Sequence, residues 1–174
     1  RVTGQLVEKY GFTNKHPAIK KAAEFFFTCQ TAEGDFRGLY GNQYTPNYTA
    51  GIMELLIKSG YGEDIRIERG FQWLLSIRQS DGGWTIPLRT TGSGNLLKAM
   101  KNPEPMKPDK SKPSSHLITG VVLRAFAAHS GYRRSKEARA AGELLKSRYF
   151  LPDRYPDRRA ADFWSKLTYP FWFT

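Results

Sequence analysis

The sequence predicts an all-α chain built from antiparallel helical hairpins that repeat along its length. Three observations carry this reading. Apolar residues recur at helical spacing in five segments. A glycine turn closed by an aromatic residue occurs twice, and a shift of 48 positions lays Ala18–Phe36 on Arg66–Trp84. A Ser-Gly-Tyr triplet ends an apolar segment at Ser59-Gly60-Tyr61 and again, 71 positions on, at Ser130-Gly131-Tyr132. Self-similarity at a fixed period is the mark of a repeat architecture.

Residues 1–14 read as a lead-in, with Thr13-Asn14 offering a cap to the first helix and Pro17 tolerated in its first turn. That helix, from about His16 to Gln30, has an apolar face at Ala18, Ala22, Phe25, Phe26 and Cys29. Gly34 and Phe36 form the first turn, or clasp, and Pro46-Asn47 opens the second helix, about Tyr48–Ser59, with Gly60 closing it. Asp64 starts the third helix, which runs into Gln79 and the second clasp, Asp81-Gly82-Gly83-Trp84. There Gly83 is expected at positive φ, Trp84 to fold under the helix end, and Gln79 to serve the unpaired carbonyls of the last turn. The Pro- and Lys-rich stretch 87–115 breaks the repeat and reads as a mobile insert. Leu117–Ser130 and Ser135–Arg148 are the fourth and fifth helices. Tyr149–Asp162 stands in the third clasp position without a Gly-Gly turn. The chain thus divides into repeats at about 15–64, 65–135 and 136–174, within one domain over 1–174.

At 174 residues, 40% of them apolar and 24 aromatic (11 Phe, 9 Tyr, 4 Trp), the chain can bury a real core. The single Cys29 excludes an intramolecular disulfide. No apolar run is long enough to span a bilayer, and no signal-peptide pattern opens the sequence, so the expected location is cytoplasmic. The net charge of +11 is uneven: residues 1–86 carry 10 basic and 9 acidic groups, and 87–174 carry 17 and 7. The basic half is suited to an anionic membrane surface, where the protein would sit peripherally. Its lysines alternate with prolines and not with stacking aromatics, which disfavours nucleic acid.

Gln79-x-x-x-Gly83-Trp84 after a Trp-Leu-Leu helix, with its approximate copy at Gln30–Phe36, resembles the Gln–Trp repeats of squalene and oxidosqualene cyclases. The wider superfamily includes the protein prenyltransferases, and the resemblance covers roughly residues 15–174. It implies an arc of an α/α-toroid, paired helices in an inner and an outer ring around an apolar cavity. It also implies an isoprenoid or other apolar ligand, with Tyr40, Tyr44, Tyr48, Trp172 and Phe173 as candidate lining residues. Class II cyclases of that superfamily protonate their substrate with an Asp-x-Asp-Asp motif, which this sequence lacks, so no catalytic residue is assigned. Prenyltransferases bind zinc through Asp, Cys and His; Cys29, Asp35, His116 and His129 show no close ligand spacing, and neither metal nor cofactor is expected. The alternative is a non-catalytic helical scaffold that binds a protein or an anionic lipid surface. Two and a half hairpins cannot close a ring, so the aromatic end at Tyr169–Phe173 is expected to be covered by the lead-in or by a second copy in a homodimer.

Overall fold

A computed structural model describes residues 2–38, 41–90, 101–149 and 151–155. Among these residues seven α-helices follow in order: α1 Val2–Glu8, α2 Pro17–Thr28, α3 Pro46–Leu56, α4 Ile65–Ser76, α5 Pro87–Thr90, α6 His116–Ala128 and α7 Lys136–Ser147. Among the described residues the only extended pairings are isolated antiparallel bridges, Gln30 with Phe36 and Gly38 with Gly41. The fold is therefore all-α.

Side-chain caps fix most helix starts. The Asp64, Ser115 and Ser135 side chains accept from Arg66 N, Ile118 N and Ala138 N, each meeting an amide that the helix leaves unpaired. For α2 the cap is His16, whose Nδ1 accepts from Ala18 N at 3.2 Å. Asn14, expected as a cap, instead reaches the other end of the hairpin. Its N donates to Ser59 O at 2.7 Å and its Nδ2 to Gly60 O at 3.0 Å.

The lead-in is not irregular: its first residues form α1. That helix is held by tertiary contacts, with Gly4 against Leu55 and Glu8 paired to Lys58 at 2.8 Å. A second correction concerns α2. Its buried stripe is Ile19, Ala23 and Phe27, spaced by four, while Ala18 is exposed and Phe25 is 65% exposed. This stripe wins because it fits under the clasp, where Phe27 meets Phe36 at 6.4 Å and Arg66 lies 3.5 Å over its ring.

The core sits between α3, α4 and α6. Gly70 lets α4 approach α3, since a Cβ there would lie 2.5 Å from Met53 Sδ. Phe71 stacks on Tyr132 at 3.9 Å and meets Phe126 edge-on at 5.0 Å, so three segments share one aromatic cluster. Across the α3–α6 seam Glu54, only 3% exposed, pairs with Lys58 at 2.6 Å and Arg124 at 2.8 Å. Two cations and a hydrogen-bonded geometry are what allow a carboxylate that deep.

The two Ser-Gly-Tyr ends are not built alike. After Leu56 the chain widens into a π-turn, Ile57–Tyr61, in which Gly60 takes φ +99°. After Ala128 the backbone becomes extended at His129, and a 3-10 turn follows at Tyr132–Arg134.

Candidate functional site

Both clasps close through the same backbone bonds, one copy 48 positions after the other. In the first, Thr31 N donates to Asp35 O at 2.8 Å and Gly34 N to Thr31 O at 3.0 Å. In the second, Gln79 N donates to Gly83 O at 2.9 Å and Gly82 N to Gln79 O at 3.0 Å. Each then docks on a later helix: Phe36 N on Thr49 Oγ1 of α3 at 3.1 Å, Trp84 N on Thr119 Oγ1 of α6 at 2.9 Å. Trp84 is fully buried and its Nε1 donates to Leu74 O at 2.7 Å, across the end of the helix it folds under.

Two details differ from expectation. The positive φ belongs to Gly82 (+96°) and its counterpart Gly34 (+107°), not to Gly83. Gly83 is required for a different reason: a Cβ there would lie 2.5 Å from Ser114 Oγ and 2.6 Å from Thr119 Oγ1. Nor does the Gln79 side chain serve its own helix. Its Nε2 donates to Asp109 O and Lys112 O, both at 2.8 Å, and so fastens the insert. Asp81 divides its carboxylate between Gly83 N at 3.1 Å and Ser114 N at 2.8 Å. In the first clasp, Gln30 Nε2 bridges Gly34 O and Arg66 O at 2.8 and 2.7 Å.

Residues 101–115, expected within a mobile insert, are tied down along their length. Met106 N donates to Gln43 Oε1 at 3.0 Å, Asp109 N to Thr90 Oγ1 at 2.8 Å, and Ser80 N to Lys110 O at 2.9 Å. The insert thereby roofs a cleft of about 300 Å³ beside the first clasp. Its walls include Tyr44, Trp73 and Ile77, together with the charged groups Glu33, Lys107 and Lys110. Tyr44 OH donates to Glu33 Oε2 at 2.6 Å, and Arg37 lies 4.9 Å from the Tyr44 ring centroid. Burial, then the bond to Glu33, pushes the Tyr44 hydroxyl up to about 12. The same bond, with Arg37 and Lys107 beyond it, holds the Glu33 carboxyl below its usual value.

Tyr48 lies elsewhere, on α3. It belongs to a half-buried side made by Tyr48, Gly51, Ile52 and Leu55; the adjoining α6 presents Leu117, Gly120 and Val121 in the same register of three and four. Gly51 and Gly120 have nothing within 4 Å of where a side chain would begin. The spacing alone could have revealed this face, but in sequence it is indistinguishable from core. Tyr40, Trp172 and Phe173 lie outside the described residues, as do Tyr169–Phe171 and Asp157 and Asp162.

Asp153, in the third clasp position, turns back and caps α6, accepting from Ser115 Oγ at 2.8 Å and Leu117 N at 3.2 Å. His116 Nε2 accepts from Arg148 Nε at 3.0 Å, and Asp35 is fully buried against Arg37 at 2.8 Å. His129 Nε2 meets Gly62 O at 3.1 Å, and Cys29 Sγ donates to Phe25 O at 3.6 Å. Among the described residues no group of three His, Cys, Asp or Glu side chains is placed to hold a metal ion, and no helix is long and apolar enough to cross a membrane.

With both clasps and their helices in view, the comparison with known families is specific. The profile of the squalene-hopene cyclase C-terminal domain matches residues 1–91, from α1 through both clasps to the start of the insert. No curated protein and no solved structure gives a match.

Proposed function

The chain belongs to the squalene-hopene cyclase C-terminal domain family, and on that premise we propose that it binds an isoprenoid or another apolar ligand on the α3–α6 face. The observation that supports this most is the pairing of apolar and empty positions on adjoining helices. Tyr48, Ile52 and Val121 are half-buried, Leu117 is 37% exposed, and Gly51 and Gly120 between them leave open space. A flexible hydrocarbon is the chemistry that covers such a face, because burial of apolar surface needs no directional partner. Tyr48 would add a π face toward any positive charge that develops on the ligand. No acid is assigned: the carboxylates near the helix ends are engaged as caps or ion pairs, as with Asp64, Asp153 and Asp35.

The test is saturable binding of a fluorescent farnesol analogue to the 174-residue chain and to Gly51→Trp and Gly120→Trp. Either indole would fill the open space from a helix that accepts it. Binding is expected to weaken at least tenfold, by analogy with losing about 1.4 kcal/mol of contact, with the melting temperature held. Unchanged affinity in both variants overturns the proposal.

A second reading rests on Arg133, Arg134, Lys136, Arg139 and Lys146, all exposed around α7. It is a scaffold that meets a protein or an anionic lipid surface at the cytoplasmic face of a membrane. Flotation with anionic vesicles that is lost at high salt would support it, whereas flotation insensitive to salt would remove the charge argument.

A further inference from the structure

We infer that the cleft under the insert is a separate binding site for a small amphipathic anion, an apolar body carrying a phosphate or carboxylate head. The body of such a ligand would lie against the edges that Tyr44, Trp73 and Ile77 leave open, each being more than nine-tenths buried, and the head would meet Lys107 and Lys110. The volume, about 300 Å³, is at the lower end of what small-molecule sites need. The cleft shares no lining residue with the α3–α6 face, so this site does not rest on the function proposed above.

Both lysines are exposed, but the loop that carries them is held. The backbone on both sides of Lys107 is fixed, by Met106 N to Gln43 Oε1 at 3.0 Å and by Asp109 N to Thr90 Oγ1 at 2.8 Å. Lys110 is fixed through its own carbonyl, which accepts from Ser80 N at 2.9 Å, between the two carbonyls that Gln79 holds. Neither ammonium lies within 4.0 Å of a carboxylate among the described residues, although Lys107 is near enough to Glu33 to help lower its pKa. Two exposed cations on anchored backbone at the edge of an apolar wall hold positive charge in one place, because the loop itself need not be ordered on binding.

Glu33 stands in the same cleft and has to be answered. Its charge is already met by the Tyr44 hydroxyl at 2.6 Å and by the Arg37 guanidinium, which also pairs with Asp35. Counting Glu33, Asp35, Arg37, Lys107 and Lys110 together, the local balance is one positive charge, so an anion is attracted even with Glu33 ionised. The apolar wall decides the rest: inorganic phosphate gains nothing from Trp73 and Ile77, and a neutral apolar molecule gains nothing from the lysines.

Calorimetric titration of the full chain with 2-naphthyl phosphate, 2-naphthol and inorganic phosphate tests this. The amphipathic anion is expected to bind at least tenfold more tightly than either of the others. A Lys107→Ala/Lys110→Ala variant should lose that advantage, and Lys136→Ala/Arg139→Ala, on α7, should keep it. Gly51→Trp should bind 2-naphthyl phosphate as the unmodified chain does, even if it no longer binds the farnesol analogue. Equal binding of all three probes, equal weakening in both double variants, or no effect of the Lys107/Lys110 variant would each overturn the site.

Discussion

Adjacent glycines in one turn serve unrelated physical needs. Gly82 stands at φ +96°, where an L side chain costs about 1–2 kcal/mol in backbone strain. Gly83 lies outside that region but under Ser114 and Thr119, so any side chain there collides with two hydroxyls at 2.5 and 2.6 Å, well inside ordinary van der Waals contact. Gly82→Ala should therefore lower stability by about 1–2 kcal/mol. Gly83→Ala should cost more, about 2–4 kcal/mol, since it disturbs the Trp84 N–Thr119 bond as well. Urea midpoints of the two variants measure this, and Ser114→Gly in the Gly83→Ala background should recover part of the loss. The sequence showed that a tight turn must occur here, because Asp-Gly-Gly-Trp is a turn on any reading. It could not show which glycine had the steric role, because Ser114 and Thr119 are more than thirty residues away.

At the scale of elements, what was legible followed local chemistry and what was hidden followed tertiary contact. The starts of α4 and α7 were readable from Asp64 and Ser135, because a cap acts within three residues of itself. The clasps were readable in register, Gly34 over Gly82 and Phe36 over Trp84, because turn glycines and buried aromatics cannot drift. By contrast α1 has a glycine and two valines in seven residues and little helix propensity of its own; contact with Leu55 and Lys58 supplies what propensity does not. The buried side of α2 was misjudged because small residues lie all round it, and only the position of Phe36 selects Ile19, Ala23 and Phe27. The candidate site was half legible: Tyr44 and Tyr48 were named together, yet they face different spaces. The docking of 101–115 had no periodic signal at all. Gln79 is its main fastening, so Gln79→Ala should speed tryptic cleavage after Lys110, which unlike Lys107 and Lys112 is not followed by proline, while leaving the helical circular dichroism within error. Cleavage at the unmodified rate would show that the other bonds suffice.

For the molecule as a whole, acid sensitivity should centre on the start of α6. Burial holds the His116 imidazole below its usual value of 6.5, and the Arg148 guanidinium, donating to its Nε2, requires the neutral ring. Asp153, Arg154 and Asp81 are the other charges that reach it, and the acids only partly offset the burial. The unfolded chain therefore takes up this proton at higher pH than the folded one. The contribution of His116 is complete above pH 6.5 and is lost as pH falls below it toward the depressed folded value. Melting temperatures should be level above about pH 7 and decline as the pH falls below 6.5. His116→Asn should flatten that decline. A decline of the same size in the variant would assign the effect to other groups.

The docking of each clasp on a later helix has one more consequence. The bond from Phe36 N to Thr49 spans 13 residues, and its counterpart from Trp84 N to Thr119 spans 35. The same closure thus tolerates nearly threefold different amounts of intervening chain, with an entropic difference of only about 1 kcal/mol. Entry and exit are stapled to one spot by Trp84 O accepting from Ser115 N at 2.9 Å. That is the geometry of a splice point, a place where a lineage can graft new chain between two hairpins without re-registering either. The insert and its cleft are what such a graft looks like once it has acquired contacts of its own.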